Sequence, residues 1–523
     1  MRPLVTAAEM RAAEQEAATR GLAPAALMQL AGQGAAAALL ESPDGVTAHY
    51  LVLAGPGNNG GDALVVAGLL HRAGAAVRIV TWRRASGAAD TPAPTDPPAI
   101  GGTLDAAIPR FDTTEDGASD RLRQALLECD VLVDGLLGTG RSRPPGPDLL
   151  AVLDAINDAP SRVRVVALDL PTGIDPDTGA ADPHALRAVQ TLSFGYAKRG
   201  TLAYPARAHC GEIRVIEIGL PLPPAVPVAA FQPAQADVAA WLPSRIPTVQ
   251  KYSAGAVLAL AGSPGYTGAS VLACTAAMRA GAGYVTLATT EDVAQLVGPR
   301  LLEATLVSLP NHLADGPGAD ALPRLREIAP RYRALLLGPG LGRAPGATEL
   351  VLAVLGGALE GPNGAVVDAD ALYTLSVTPD WQARVRIPIV LTPHSGEMAQ
   401  LTGLTAQQIE ADRFTIAATW ASRWGQVLVL KGAPTVTAAP DGSLSVNPTG
   451  NALLATAGTG DVLSGVIAAL LAGGASPLDA ARAGVYIHGM AADLAAIGFG
   501  DRGMVAGDLL PLLPAAIRQI REG

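Results

Sequence analysis

The run ATAGTGDVLSG, residues 455–465, sets a carboxylate, Asp461, directly behind the turn made by Gly458, Thr459 and Gly460 and at the opening of an expected helix. A glycine turn entering a helix presents free N–H groups and the positive end of the helix dipole, which suits an anion such as phosphate. A carboxylate there would repel that anion unless it has another task. Phosphoryl transfer supplies one: the hydroxyl that receives the group must lose its proton, and a carboxylate beside the anion hole can take it. Asp461 is therefore expected to be a catalytic base, with Gly458, Thr459 and Gly460 as the cradle. The plainer reading is an N-cap acid after a flexible turn.

Other strand ends of this half carry matching pieces. VLVLKGAPTV puts Lys431 and a glycine after a strand, fit for a nucleotide phosphate, and LTPHSGEMAQL puts His394 at a strand end, where it either binds substrate or is structural. Glu397 reads as a first-turn helix acid. LLLGPGLG brings backbone close through Gly338, Gly340 and Gly342, AGSPGYTGAS is a further glycine loop that enters a helix at Ala269, and KYSAG opens this half with Lys251. Only three of the 37 basic residues are lysine (Lys198, Lys251 and Lys431), which marks them as places where a compact ammonium is wanted, or as chance survivors.

In the first half, VLAGPGNNGGDALVVAGLL reads as strand, glycine loop and helix, with Gly55, Gly57 and Gly60 in G-x-G-x-x-G spacing. The next strand ends in Trp82, Arg83 and Arg84 rather than the acid of a dinucleotide site. Asn58, Asn59, Gly60, Gly61 and Asp62 instead pack hard oxygen ligands and hydrogen-bond donors into one loop, which otherwise reads as an Asn-Gly turn with an Asp cap. Asp134 in VDGLLGTGRSRP and Asp169 in ALDLPTGID end later strands and should face the same crevice. Asn59, Asp134 and Thr172 could converge on a monovalent cation, Asp169 could act as acid or base, and the loop 138–144 could hold a diphosphate with Arg141 and Arg143. Asp175 and Asp177 read as turn residues.

These residues need elements to position them. AHYLVLAG, AAVRIVTW, CDVLVDGL, RVRVVALDL and QTLSFG are short apolar strands between helical stretches, which predicts a parallel sheet covered on both faces, a Rossmann-like three-layer αβα sandwich. Residues 83–120 read as a long surface excursion with room for one helix. Prolines crowd near residue 220, and α/β alternation then restarts from AGAVLALAG. The domains expected are 1–222, a linker zone 223–240, and 241–523. At 523 residues, 49% apolar and 16% charged, the chain has a globular composition of more than one domain. A net charge of −10 gives no basic footprint for nucleic acid, and apolar runs such as GVIAALLAGG fall short of the ~20 residues of a membrane span. Cys129, Cys210 and Cys274 form no disulfide or zinc pattern, so a reducing, cytoplasmic setting without membrane or nucleic-acid partners is expected.

Taken together, the sequence resembles fused NAD(P)H-hydrate repair enzymes. GPGNNGGDALVVA, DGLLGTGRSRP, LDLPTGIDPDTG and FGYAKRG resemble the epimerase domain, and TPHSGE, LKGAPTV and GNALLATAGTGDVLSG resemble the ribokinase-like ADP/ATP-dependent dehydratase. The resemblance implies that Asn58 to Asp62 and Gly138, Thr139, Gly140, Arg141, Ser142, Arg143 and Pro144 bind the hydrated nucleotide, NADHX or NADPHX. It implies potassium (K+) at Asn59, Asp134 and Thr172, and Asp169 on the hydrate. In the second half it implies substrate contacts at Ala269, Gly340, His394 and Asp461. Nucleotide contacts fall on Lys431, Gly432, Ala433, Pro434, Thr435 and Gly460, with magnesium (Mg2+) accompanying ADP or ATP. Ala63, Thr172 and Pro434 depart from the commonest pattern, and Pro434 offers no N–H. A homo-oligomer is expected. A small-molecule kinase with an accessory Rossmann-like binding domain is the alternative, and a scaffold role for the first half stays open.

Overall fold

A computed structural model describes residues 1–83, 104–140, 145–222, 224–310 and 319–522. The chain divides into two compact units, Arg2–Ala230 and Phe231–Gly523.

The first unit is built on seven parallel strands: β1 (His49–Ala54), β2 (Ala76–Thr81), β3 (Arg110–Asp112), β4 (Val131–Gly135), β5 (Arg164–Leu168), β6 (Gln190–Phe194) and β7 (Glu212–Ile216). Their order is β3-β2-β1-β4-β5-β6-β7. Strand β3 lies inside the stretch expected as a surface excursion; at three residues it is too short to show a period of two. Two buried apolar clusters, one holding Val52, Val133 and Leu168 and the other Leu53, Leu132 and Leu153, account for the near-continuous apolar strands. The order reverses between β1 and β4, and in such sheets ligands bind outside the carboxyl ends at that point. Register does the positioning: Leu53 pairs with Asp134, and Asp134 with Ala167, so the ends of β1, β4 and β5 lie side by side.

The second unit holds β8 (Ala256–Leu260), β9 (Tyr284–Thr290), β10 (Thr305–Leu309), β11 (Ala334–Leu337), β12 (Ala365–Val367), β13 (Ile389–Leu391), β14 (Val427–Leu430), β15 (Val436–Ala438) and β16 (Leu444–Val446). Within the unit they run β10-β9-β8-β11-β12-β13-β14-β15-β16, parallel as far as β14 and antiparallel beyond it. Leu337, Val367, Leu391 and Leu428 form one register row. Three residues further along each strand come Gly340, Asp370, His394 and Lys431, so four distant segments meet at one sheet edge.

A helix apolar on all sides belongs inside a core. Helix Thr459–Ala472, which carries Asp461, is of that kind and is buried from Val462 to Ala472. It lies against Thr267–Arg279, where a Cβ built on Gly465 would fall 2.2 Å from the Ala273 carbonyl oxygen.

Candidate active sites

In the first unit the chain leaves β1 through Gly55 and Gly57 into helix α1 (Asn58–Arg72). Gly60 must be glycine, because a Cβ there would sit 1.9 Å from the Gly55 carbonyl oxygen. This tight entry turns the Asn59 side chain inward. Its Nδ2 donates to the carbonyls of Leu137 (3.0 Å) and Leu168 (3.1 Å). Its Oδ1 is buried without a hydrogen-bond partner among the described residues.

Asp134, fully buried at the end of β4, accepts from the Thr172 N–H at 2.7 Å, the Thr172 hydroxyl at 2.8 Å and the Leu136 N–H at 3.2 Å. Burial pushes its carboxyl up to about 6, against the pull of those hydrogen bonds. The Thr172 hydroxyl also accepts from the Leu137 N–H at 3.2 Å, so Asn59 and Thr172 both bond Leu137 while Asp134 bonds the residue before it. The buried amide oxygen of Asn59, the Asp134 carboxylate and the Thr172 hydroxyl are hard-oxygen donors of the kind that fit a monovalent cation. Among the described residues no group of three or more His, Cys, Asp or Glu could hold a metal.

Asp169 follows β5 in a left-handed backbone conformation, φ 65°. It forms an ion pair with Lys198, whose side chain is 0% exposed and whose Nζ also donates to the Phe194 carbonyl at 2.9 Å. A Cβ on Gly138 would lie 3.1 Å from Asn59 Cβ and 3.6 Å from Asp169 Oδ2, which puts these three residues at one spot. Asn58 is exposed, Gly61 and Asp62 are buried in the first turn, and Thr139 and Gly140 line the following loop. Arg141, Ser142, Arg143 and Pro144 lie outside the described residues. Asp175 organises its own turn by accepting from Asp177 and Thr178, as expected.

The second site gathers on three helices, α2 (Thr267–Arg279), α3 (Ser395–Thr402) and α5 (Thr459–Ala472), with α4 (Arg413–Trp424) and α6 (Pro477–Phe499) behind them. Gly458 caps α5 at φ 91°, and Asp461 stands in its first turn. Burial, and then the negative charge of Asp368, hold the Asp461 carboxyl up to about 7, with Lys431 pulling the other way. Lys431 donates to Asp368 at 2.9 Å and lies 3.6 Å from Glu397. Burial opposes its charge, but Asp368, Glu397 and Asp461 outweigh that and hold the ammonium above its usual range. A Cβ on Gly460 would be 3.4 Å from Lys431 Nζ, so the lysine reaches the glycine turn itself. Thr459 is buried, its hydroxyl donating to the carbonyls of Leu454 and Thr456, both at 2.9 Å. His488 of α6 backs this turn through the Thr459 backbone, and burial pushes its imidazole down to about 4, so it stays neutral.

His394 has a second occupation. Its Nδ1 accepts from the N–H groups of Gly396 (3.0 Å) and Glu397 (3.3 Å), while Glu397 accepts from the His394 N–H at 2.9 Å, a capping box at the start of α3. Its Nε2, on a ring 60% exposed, lies 3.6 Å from the Glu397 carboxylate. Gly340 and Ala269 touch: a Cβ on Gly340 would be 3.0 Å from Ala269 Cβ. Gly432 and Ala433 are exposed, Pro434 is half-buried, and Thr435 closes their turn by donating to the Gly432 carbonyl at 3.0 Å.

The sequence pattern does not single out Asp368, Arg413 or His488, and it marks Glu397 only as a helix acid and Lys198 only as a surviving lysine. Asp368 has a signal, since it follows strand β12 directly as Asp169 follows β5. All three cysteines are buried, with burial pushing their thiols up to about 11 or 12, as packing residues require.

The second unit thus has the frame and furniture of a phosphoryl-handling α/β domain, and the first those of a Rossmann-like binding domain. Residues 257–514 match the family model described as NAD(P)H-hydrate dehydratase, and residues 24–200 the one described as YjeF-related protein N-terminus. The chain is 42% identical over 402 residues to a bifunctional NAD(P)H-hydrate repair enzyme of Moorella thermoacetica, covering 76% of this chain and 74% of that one. It is 37% identical over 387 residues to the protein of the same name from Escherichia coli, covering 73% and 71%. Among solved structures, an ADP/ATP-dependent NAD(P)H-hydrate dehydratase from Bacillus subtilis, co-crystallized with ATP/Mg2+, is 34% identical over 55% of this chain and 97% of that one, with a TM-score of 0.48. The chain belongs to the family of bifunctional NAD(P)H-hydrate repair enzymes.

Proposed function

We propose that the first unit interconverts the R and S hydrates of NADH and NADPH, and that the second uses ADP or ATP to dehydrate the S hydrate back to the reduced cofactor. The observation that carries the reading is Asp461: a carboxylate whose proton is held to about pH 7, at the mouth of an anion-binding turn that Lys431 also reaches. Such a group is poised as a general base near neutrality.

In the second unit Asp461 takes the proton of the hydrate's hydroxyl, and that oxygen attacks the terminal phosphoryl group of the nucleotide, breaking the bridging P–O bond so that ATP leaves as ADP, or ADP as AMP. The N–H groups at Gly458 to Gly460 and the Lys431 ammonium stabilise the charge that develops there. Phosphate then leaves with the C–O electron pair, pushed by the ring nitrogen lone pair, and loss of a proton from the neighbouring carbon restores the double bond. Lys431, Gly432, Ala433, Pro434 and Thr435 hold the nucleotide, while Ala269, Gly340 and His394 hold the hydrate. Magnesium would arrive on the nucleotide phosphates, since it needs few protein carboxylates.

In the first unit Asp169 moves the proton of epimerisation, with the hydrate lying along Asn58 to Asp62 and Gly138 to Pro144. Asn59, Asp134 and Thr172 would hold potassium, which supplies fixed positive charge beside the substrate. A homo-oligomer in the cytoplasm, free of membrane and nucleic acid, completes the proposal. The three cysteines are buried and unpaired, which supports a reducing compartment.

The test gives the full chain a mixture of R and S hydrates with ADP or ATP. The expected result is complete recovery of reduced-cofactor absorbance, with one phosphate released per hydrate. A stable phosphorylated product would instead make the second unit a kinase, and recovery that stops at the S fraction would remove the epimerase assignment.

A further inference from the structure

Arg413 is the bulkiest of the fully buried side chains, 2% exposed, yet it opens helix α4 close to the sheet edge. Its guanidinium is divided between two tasks. One nitrogen, Nη2, donates to the carbonyls of Leu430 (3.1 Å) and Lys431 (2.9 Å). The other, Nη1, donates to both carboxylate oxygens of Glu410, each at 2.8 Å. Glu410 in turn accepts from the hydroxyl of Ser395, the residue after His394. The Nε is left buried with no partner among the described residues, so the two terminal nitrogens are served at its expense. Gly432 makes room for the arrangement, because a Cβ there would fall 2.5 Å from Nη2.

One guanidinium therefore ties the turn after β14 to the start of α3. The first segment carries the nucleotide loop Lys431–Thr435, and the second carries His394. We propose that Arg413, acting through Glu410, is a positioning residue that sets the nucleotide loop against the His394 turn and makes nucleotide and hydrate binding interdependent. Lysine could not replace it, since one ammonium lacks the planar fork that meets two carbonyls and a carboxylate at once. This inference rests on the dehydratase reading above.

The test compares the full-length protein with Glu410→Gln, Arg413→Lys and Arg413→Ala. Separate KM values for nucleotide and hydrate are measured, together with hydrate binding with and without ADP. Glu410 is half exposed, so Glu410→Gln is the variant that keeps the fold. It is expected to raise the nucleotide KM by about tenfold, with kcat changed far less. It should also shrink the factor by which ADP tightens hydrate binding by about fivefold. Arg413→Lys should be no better than Arg413→Ala, and guanidinium ion added to Arg413→Ala should lower its nucleotide KM again. If Glu410→Gln, folded by its melting curve, keeps both KM values and the coupling of the parent, the proposal is overturned. Failure of the unaltered protein to dehydrate the hydrate in the same assay would strike the functional reading instead. Should Arg413→Ala not fold, Glu410→Gln decides.

Discussion

Each unit sets a lysine beside an aspartate at the carboxyl edge of a parallel sheet, and the two pairs behave differently. In the first unit Lys198 lies on Asp169 itself, out of reach of solvent. In the second, Lys431 is claimed by Asp368 and Glu397, and Asp461 is left with surplus negative charge around it. The first arrangement holds its carboxylate on an ammonium, and the second leaves Asp461 a weaker acid than usual. Burial first, and then the charge of Asp368, hold the proton on Asp461, while in the first unit Lys198 also faces Glu14, whose carboxyl burial pushes up.

The largest way to break that contrast is to remove one carboxylate at a time. Asp461→Asn should cost dehydration about 10²–10⁴-fold and leave epimerisation by the same protein untouched. Asp169→Asn should do the reverse, read as recovery that stalls at the S hydrate. Removing the lysines separates the pairs next. Lys198→Met strands Asp169 in a buried site, at a cost of about 3–5 kcal/mol to the first unit, visible as an earlier unfolding transition in denaturant. Lys431→Met leaves three acids facing one another, so it should push the proton-uptake midpoint of Asp461 above about 7 and weaken nucleotide binding.

A smaller effect sharpens the comparison through pH. With Asp461 raised to about 7, kcat/KM for dehydration should climb about tenfold per pH unit on the acid side and level off above 7. Asp368→Asn should move that curve to lower pH, because Asp368 is the largest charge holding the proton on. The sign for stability runs the other way. Between its ordinary value of 3.8 and about 7 the folded protein keeps a proton that the unfolded chain has lost. Stability therefore falls as pH rises through that window, and Asp461→Asn should flatten the fall in a pH series of melts. In the first unit Asp134 must be ionised to hold a cation. Potassium affinity, titrated by ligand-linked stabilisation, should weaken by about tenfold per unit below pH 6 and stay constant above it. The smallest effect belongs to Gly460→Ala, whose Cβ would meet Lys431 Nζ at 3.4 Å: about 1 kcal/mol, or fivefold in nucleotide KM.

The same contrast explains what could be read in advance. Strand ends are visible in sequence, so Asp134, Asp169, His394 and Lys431 stand out as short polar interruptions after apolar runs. Pairing is not visible, because it depends on register between segments far apart. Lys431 meets Asp368 across 63 positions and Lys198 meets Asp169 across 29. Arg413 had no local mark at all: an arginine opening a helix looks solvated until the carbonyls of β14 are folded onto it. His394 is legible as a strand-end histidine, but its capping task appears only when α3 begins where it does.

Helix α5 has one more consequence. Asp461 rides on the segment that fills the middle of the hydrophobic interior, not on a surface loop. The helix that carries its carboxylate is anchored by the buried run that starts at Val462, so the base should keep its place while that run stays packed. Dehydration should persist up to the temperature at which this unit melts and vanish with it, without the earlier decline of enzymes whose reacting groups sit on flexible arms.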